Sequence, residues 1–171
     1  MKRKRNVILV GFMGTGKTTV GRLLAARLGM KFVDMDDMIA ARAGKPITRI
    51  FAEDGEPHFR RAERAIAVDL AAQDGWVVGT GGGIVLNPEN IRDFSRTGLV
   101  VCLWAQPETI LARVIDDEQR PLLAGGDKLR RISELLEKRR PLYEAIPARI
   151  DTTALFPEDV VEEITRLVAG G

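Results

Sequence analysis

The chain has 171 residues, 45% of them hydrophobic, and its 26 lysines and arginines nearly balance its 24 acidic residues. This size and apolar content support one hydrophobic core, so we expect a single domain over residues 1–171. The balanced charge argues against binding to nucleic acid or a membrane surface, and no apolar stretch is long enough to span a bilayer. Because Cys102 is the only cysteine, no internal disulfide is possible, and we expect a cytoplasmic protein.

The first predicted elements flank a glycine-rich loop. Residues 6–10 form a short apolar run typical of a buried parallel strand, and residues 18–28 form an amphipathic helix that ends at Gly29. Between them, residues 11–18 read GFMGTGKT and fit G-x-x-x-x-G-K-[ST], the phosphate-binding P-loop. A glycine-rich turn with a solvated lysine is the alternative. Because strand, loop and helix follow in the order that the motif requires, we predict a site for a nucleoside triphosphate.

The residue types of this loop explain how it binds phosphates. Its glycines permit backbone angles that turn N–H groups inward as an anion nest, at the positive end of the following helix. Lys17 is expected to contact the β- and γ-phosphates, and the Thr18 hydroxyl to ligate Mg²⁺. The predicted nucleotide-binding residues of this segment are Gly14, Thr15, Gly16, Lys17, Thr18 and Thr19.

Further along the chain, strands and helices alternate, which predicts an α/β fold with a five-stranded parallel sheet. The remaining strands are predicted at residues 31–33, 76–79, 99–104 and 149–151. Helices are predicted at 37–43, 46–52, 57–73, 107–115, 129–145 and 157–168. Residues 116–128 have no clear periodicity, so we predict a mobile segment there.

Several polar or glycine-rich positions follow predicted strands, where ligands of parallel sheets bind. Asp34 and Asp36 follow the second strand, where carboxylates can hold a hydrated Mg²⁺ or an acceptor hydroxyl. Alternatively, they cap the helix that begins near Asp37. Gly81-Gly82-Gly83 follow the third strand and allow close approach of a ligand to the backbone, with a plain flexible turn as the alternative.

Three arginines outside the P-loop are candidates for anion binding. Arg60 carries a guanidinium fork suited to a carboxylate, although a surface salt bridge with Glu63 is the alternative. Arg120 lies in the aperiodic segment, where a closing lid can bring its charge to a phosphoryl group. Arg139 lies in a basic run at a helix end, for which a solvated face is the alternative.

In order and spacing, these motifs resemble the shikimate kinase family from end to end. The matching residues are 11–19, 32–36, Gly55-Glu56, Phe59-Arg60, Glu63, 80–83, 120–123, Arg139 and Pro141-Leu142-Tyr143. The resemblance implies a three-layer α/β/α fold of the P-loop kinase type, with a mobile lid at about 114–128. It also implies transfer of the ATP γ-phosphate to the 3-hydroxyl of shikimate, in the biosynthesis of chorismate and aromatic amino acids. We expect a monomer.

The resemblance assigns roles to single residues. Shikimate would bind in a region at about 34–63 and at later positions, through Asp36, Arg60, Gly81, Gly82, Gly83 and Arg139. Both arginines would bind its carboxylate, and Asp36 its ring hydroxyls. Thr18 and Asp34 would serve Mg²⁺. The implied catalytic residues are Lys17, Asp36 and Arg120, and ATP would also contact Arg113 and Arg120, with Arg113 and the loop before Pro157 beside the adenine.

Alternatives remain open on the residues alone. Arg60 and Arg139 suit any anionic acceptor, so a gluconate or nucleoside monophosphate kinase is one alternative, although the Asp34, Asp36 and Gly81-Gly82-Gly83 combination favours shikimate. A non-catalytic nucleotide switch is another, but the N-K-x-D segment of a GTPase does not occur. A nucleic-acid-binding arm could only be the basic residues 2–5, for which a solvated tail is the simpler interpretation.

Overall fold

The computed structural model describes residues 5–115 and 126–171, so Arg120 and most of the predicted lid lie outside the described residues. Five strands form one parallel sheet in the order β2-β3-β1-β4-β5. They are β1 (Asn6–Val10), β2 (Lys31–Asp34), β3 (Trp76–Gly79), β4 (Gly98–Trp104) and β5 (Ala148–Asp151). The described helices are α1 (Lys17–Leu28), α2 (Met35–Ala43), α3 (Ile47–Glu53), α4 (Glu56–Ala71), α5 (Pro88–Thr97), α6 (Pro107–Val114), α7 (Lys128–Glu144) and α8 (Pro157–Gly170).

Helices cover both faces of the sheet, which confirms the predicted three-layer α/β/α fold. Side chains alternate along a strand, so Val7 and Leu9 of β1 face one layer while Ile8 and Val10 face the other. Helices α1 and α8 pack on the first face, and residues of α2 to α7 pack on the second. In the described part of the chain, no helix has the length and apolar content needed to cross a bilayer.

The predicted strands and helices agree with the observed ones to within two residues at each end, but one helix was missed. Helix α5 and the 3-10 turn before it (Ile84–Leu86) lie in a stretch for which the sequence analysis predicts no helix. Only Asn90 and Phe94 of α5 are buried, and Ile91 and Phe94 are its only large apolar side chains, so its short sequence resembles a polar connection. Its local signal is the start: Asn87 accepts a hydrogen bond from the Glu89 N–H, with Pro88 in the first turn.

One buried side chain joins the amino ends of two strands to the end of a helix. Asn6, at the start of β1, is fully buried, and its Nδ2 donates to the carbonyl oxygens of Leu70 (3.3 Å) and Gln73 (2.7 Å). Its Oδ1 accepts from the Trp76 N–H at 2.9 Å. One amide therefore joins the start of β1 to the end of α4 and the start of β3, and uses both its donor and acceptor sides.

We expect Asn6→Asp to destabilise the fold strongly. The carboxylate would keep the acceptor for Trp76 but place oxygen against two carbonyl oxygens in a buried site, at a cost of about 3 kcal/mol or more. Urea unfolding measures the loss. The matched control is Asn87→Asp, because the Asn87 side chain only accepts at the start of α5 and should change stability by at most about 0.5 kcal/mol. Equal losses in the two variants would contradict this account of Asn6.

Candidate active site

A cleft of about 460 Å³ opens at the carboxyl ends of the central strands. Three segments meet in it: the P-loop, the start of α2, and the glycines after β3. Its lining also includes the α2–α3 connection, which lies within the predicted region 34–63 although none of its residues was named individually. The lining residues are Met13, Gly14, Gly16, Lys17, Thr18, Thr19, Asp34, Asp36, Asp37, Ala40, Pro46, Ile47, Thr48, Thr80, Gly81 and Gly82.

The P-loop has the backbone geometry expected of an anion nest. Gly11, Gly14 and Gly16 have φ values of 143°, 71° and 98°, which side chains disfavour. The loop curls around Lys17, whose Nζ donates to the carbonyl oxygens of Gly11 (2.7 Å) and Phe12 (2.8 Å). The ammonium therefore lies inside the curve of the loop, at the start of α1.

Asp34 caps α2, as one of the two interpretations predicted, and it also contacts the P-loop. Its Oδ1 accepts from the Asp36 N–H at 2.9 Å and the Asp37 N–H at 3.4 Å, and so caps α2. Its Oδ2 accepts from the Thr18 hydroxyl at 3.0 Å. The two carboxylate oxygens thus have separate tasks, and the cap orients the carboxylate toward the P-loop.

The Thr18 and Asp34 pair fits a magnesium ion that keeps most of its own ligands. Mg²⁺ takes hard oxygen ligands and usually retains several waters, with one or two carboxylates and substrate phosphates. A hydroxyl and a carboxylate oxygen 3.0 Å apart at the P-loop offer that chemistry. Within residues 5–115 and 126–171 there is no cluster of three or more His, Cys, Asp or Glu side chains able to hold a metal.

The glycine run after β3 is explained by close packing rather than by unusual backbone angles. None of Gly81, Gly82 and Gly83 has a positive φ. A Cβ on Gly83 would collide with the guanidinium of Arg60, and one on Gly81 would lie 3.0 Å from Asp36 Oδ1 and 3.3 Å from Glu63 Oε2. Charged side chains therefore press directly against this backbone, and we call residues 81–83 the glycine loop.

Arg60 forms the salt bridge that was the alternative to a binding role. Its Nη1 donates to Glu63 Oε1 at 3.0 Å, and its Nε and Nη2 donate to Glu56 Oε1 at 3.3 and 3.2 Å. Glu63 is 2% exposed, and this burial raises the pKa of its carboxyl more than Arg60 lowers it. The guanidinium lies between two carboxylates and the glycine loop, so the salt bridge places it beside the loop.

Arg139 is not part of a solvated face. Its residue is 6% exposed, whereas neighbouring Lys138 is exposed, and its guanidinium lies 5.8 Å from the Phe12 ring centroid. Nη1 is 3.6 Å from the position that a Gly82 Cβ would take. One turn later, the Tyr143 hydroxyl donates to the Gly82 carbonyl at 2.7 Å. Burial raises the pKa of Tyr143 to about 12, so the phenol stays a neutral donor.

Several of the predicted site residues do not line the cleft. Arg113 donates from Nη1 to the Gly14 carbonyl (3.0 Å) and to Thr152 Oγ1 (3.1 Å), and from Nη2 to the Thr152 carbonyl (3.0 Å). Among the residues that the structure describes, those that line the cleft do not include Arg60, Gly83 or Arg139. Arg60 lines a neighbouring cavity of about 360 Å³ together with Glu63.

Sequence reasoning missed two residues with a clear place near this site. Tyr143 is the one tyrosine of the sequence and lies in the motif that begins at Arg139, which was a usable signal. No signal in the sequence points to Thr152, because its partners Thr15 and Trp104 are 137 and 48 positions away in the chain.

Comparison with known proteins identifies the family. The model for shikimate kinase matches residues 13–169. A shikimate kinase from Symbiobacterium thermophilum is 48% identical over 162 residues, 93% of each chain. The solved structure of shikimate kinase from Acinetobacter baumannii in complex with shikimate has a TM-score of 0.93 at 36% identity, over 98% of this chain and 94% of that one.

A gluconokinase from Sinorhizobium meliloti has a TM-score of 0.61 at 17% identity, over 99% of this chain and 97% of its own, which shows a shared fold alone. The fold is thus shared beyond one family, whereas the shikimate kinase model matches the sequence itself over residues 13–169. The chain belongs to the shikimate kinase family.

Proposed function

We propose that this protein transfers the γ-phosphate of ATP to the 3-hydroxyl of shikimate, giving shikimate 3-phosphate and ADP. The observation that carries the proposal is the shared cleft, in which the P-loop and Asp36 line one space. A donor site and an acceptor site in one cavity can bring the two reactants into contact, which is most of what phosphoryl transfer requires. In the shikimate kinase family this reaction serves the biosynthesis of aromatic amino acids.

At the donor end, the P-loop binds the triphosphate through its backbone N–H groups and the start of α1. When ATP binds, the Lys17 ammonium leaves the carbonyl oxygens of the loop and contacts the β- and γ-phosphates. It thereby replaces neutral hydrogen-bond acceptors with charged ones. Thr18 and Asp34 hold Mg²⁺, which would offset negative charge on the phosphates when bound. Arg113 lies beside the P-loop, and we assign it with the loop before Pro157 to the adenine side.

At the acceptor end, Asp36 orients the 3-hydroxyl for in-line attack on the γ-phosphorus. The oxygen forms the new P–O bond while the bond to the β-phosphate oxygen breaks, and the hydroxyl proton passes to the Asp36 carboxylate. Arg60 and Arg139 bind the shikimate carboxylate across the glycine loop. Arg120 lies outside the described residues, and its assignment to the transferring phosphoryl group stays part of the proposal.

We further propose that the protein works as a cytoplasmic monomer without nucleic-acid or membrane partners. Its support is the nearly balanced charge of the sequence, 26 basic against 24 acidic residues. A single cysteine, which allows no internal disulfide, also supports a reducing setting. The Cys102 thiol is buried, and burial raises its pKa to about 11, so it is a core side chain rather than a reactive one.

The direct test of the function is ADP release by the purified chain with ATP and Mg²⁺. We expect shikimate to raise ADP release well above the rate without an acceptor, and gluconate or AMP to leave it near that background. A Lys17→Met variant serves as the control for contaminating kinases, because it removes the cation of the P-loop. Tight nucleotide binding with no stimulation by any acceptor would favour the nucleotide switch, and stimulation by gluconate or AMP would favour a different kinase.

Arg139→Ala tests the acceptor site. Losing a charge-assisted contact with the shikimate carboxylate should raise KM for shikimate roughly 10- to 150-fold while KM for ATP changes little. Arg140→Ala is the matched control, since Arg140 is the next residue but stacks on Trp104 at 4.9 Å, away from the cleft. An equal rise of both KM values in Arg139→Ala would count against the assignment.

Asp36→Asn separates chemistry from binding at the acceptor. The amide keeps the size of the side chain and can still bond to a hydroxyl, but it cannot take up the proton, so we expect kcat to fall about 100-fold or more. ADP affinity, followed by calorimetry, should stay at the wild-type value. A kcat close to wild type would show that Asp36 takes no proton in the rate-limiting step.

A further inference from the structure

We infer that Thr152 is a positioning residue for the nucleotide phosphates, which it serves by holding the outer side of the P-loop. Thr152 follows β5 and is 3% exposed. Together with Arg113 it contacts two carbonyl groups of the P-loop, and we call these two side chains the P-loop brace. The inference deepens the proposed function, since it concerns the same nucleotide site.

The contacts of the brace converge on consecutive peptide groups. Thr152 Oγ1 lies 3.2 Å from the carbonyl oxygen of Thr15 and 3.0 Å from that of Trp104, and shares its one hydroxyl proton between them. The same Oγ1 accepts from Arg113 Nη1 at 3.1 Å. Arg113 Nη1 also donates to the carbonyl of Gly14 at 3.0 Å. The carbonyls of Gly14 and Thr15 are therefore both held on the outer side of the loop.

Peptide geometry transmits this restraint to the phosphate side. In a planar trans peptide, the C=O and the N–H of the next residue point in opposite directions. A Gly14 carbonyl held outward turns the Thr15 N–H inward, and a Thr15 carbonyl held outward turns the Gly16 N–H inward. These N–H groups belong to the anion nest, and a nest whose donors are already oriented loses less conformational entropy on binding.

The brace is itself fixed to the sheet and to α6. The Thr152 N–H donates to the Trp104 carbonyl at 2.7 Å, which continues the pairing of β4 with β5 by one residue beyond Trp104 and Asp151. On the other side, a Cβ on Gly14 would lie 2.8 Å from Val114 Cγ1 of α6, so the loop packs tightly against the helix that carries Arg113. The P-loop thus rests on two elements that are far from it in sequence.

Thr152→Val tests the inference because it keeps the shape of the side chain and replaces the hydroxyl with a methyl group. We expect the Kd for ADP and the KM for ATP to rise about tenfold, the effect of losing one buried hydrogen bond, with KM for shikimate unchanged. Thr152→Ser retains the hydroxyl and should restore both values. Thr165→Val is the matched control, because the Thr165 hydroxyl bonds to the Val161 carbonyl within α8, away from the nucleotide.

A second probe separates phosphate positioning from contacts with the base. Inorganic tripolyphosphate carries the phosphates without a base, so its inhibition constant against ATP should rise in Thr152→Val by the same factor as the ADP Kd. If Thr152→Val does not fold, Arg113→Gln removes the brace from its other member and should weaken tripolyphosphate in the same way.

The inference is overturned if Thr152→Val leaves the ADP Kd and the tripolyphosphate inhibition constant unchanged. It is also overturned if KM for shikimate rises equally, or if Thr152→Ser fails to restore nucleotide binding. ADP titration needs no acceptor. Failure of the wild-type chain to phosphorylate shikimate would therefore contradict the proposed function and leave the outcome of the Thr152 test readable.

Discussion

Parallel pairing of β1 on both of its sides is the constraint from which the rest of the site follows. Leu9 lies opposite Gly79 of β3 and Val101 of β4, so the P-loop and the glycine loop leave the sheet next to each other. Thr80 strengthens this junction: its N–H and its hydroxyl both donate to the Leu9 carbonyl, at 3.1 and 2.8 Å. The P-loop and the glycine loop are thereby joined at the point where they leave the sheet.

Charged groups gather around this junction although the surrounding core is apolar. Lys17, Glu63 and Arg139 are all buried, and a buried charge is costly unless neighbouring groups compensate it. The compensation here comes from loop carbonyls for Lys17 and from Arg60 for Glu63. Placing these charges reduces the stability of the empty fold but orients the groups in advance, an arrangement that phosphoryl transfer exploits.

The parts of the fold that depend on residues close together in the sequence could be predicted. The P-loop, the apolar strands and most helices were recognised because each is specified by neighbouring residues. The polar helix α5 was missed, since only two of its ten residues, Ile91 and Phe94, are large and apolar. The basic run also does not reveal that Arg139 is buried while Lys138 is exposed, because this depends on which face of α7 packs against the core. The Thr152 contact joins residues 137 positions apart, which no local pattern encodes.

Under the acceptor role proposed for Arg60, the Glu56 carboxylate on that arginine would make acceptor binding an exchange of one carboxylate for another. An arriving carboxylate that takes the Nε and Nη2 donors releases Glu56, whose side chain is already 53% exposed and returns readily to water. The charge beside Arg60 then stays nearly constant through the binding event, so added salt screens the departing and the arriving carboxylate alike. Acceptor affinity should accordingly vary much less with ionic strength than the affinity for a polyphosphate at the P-loop.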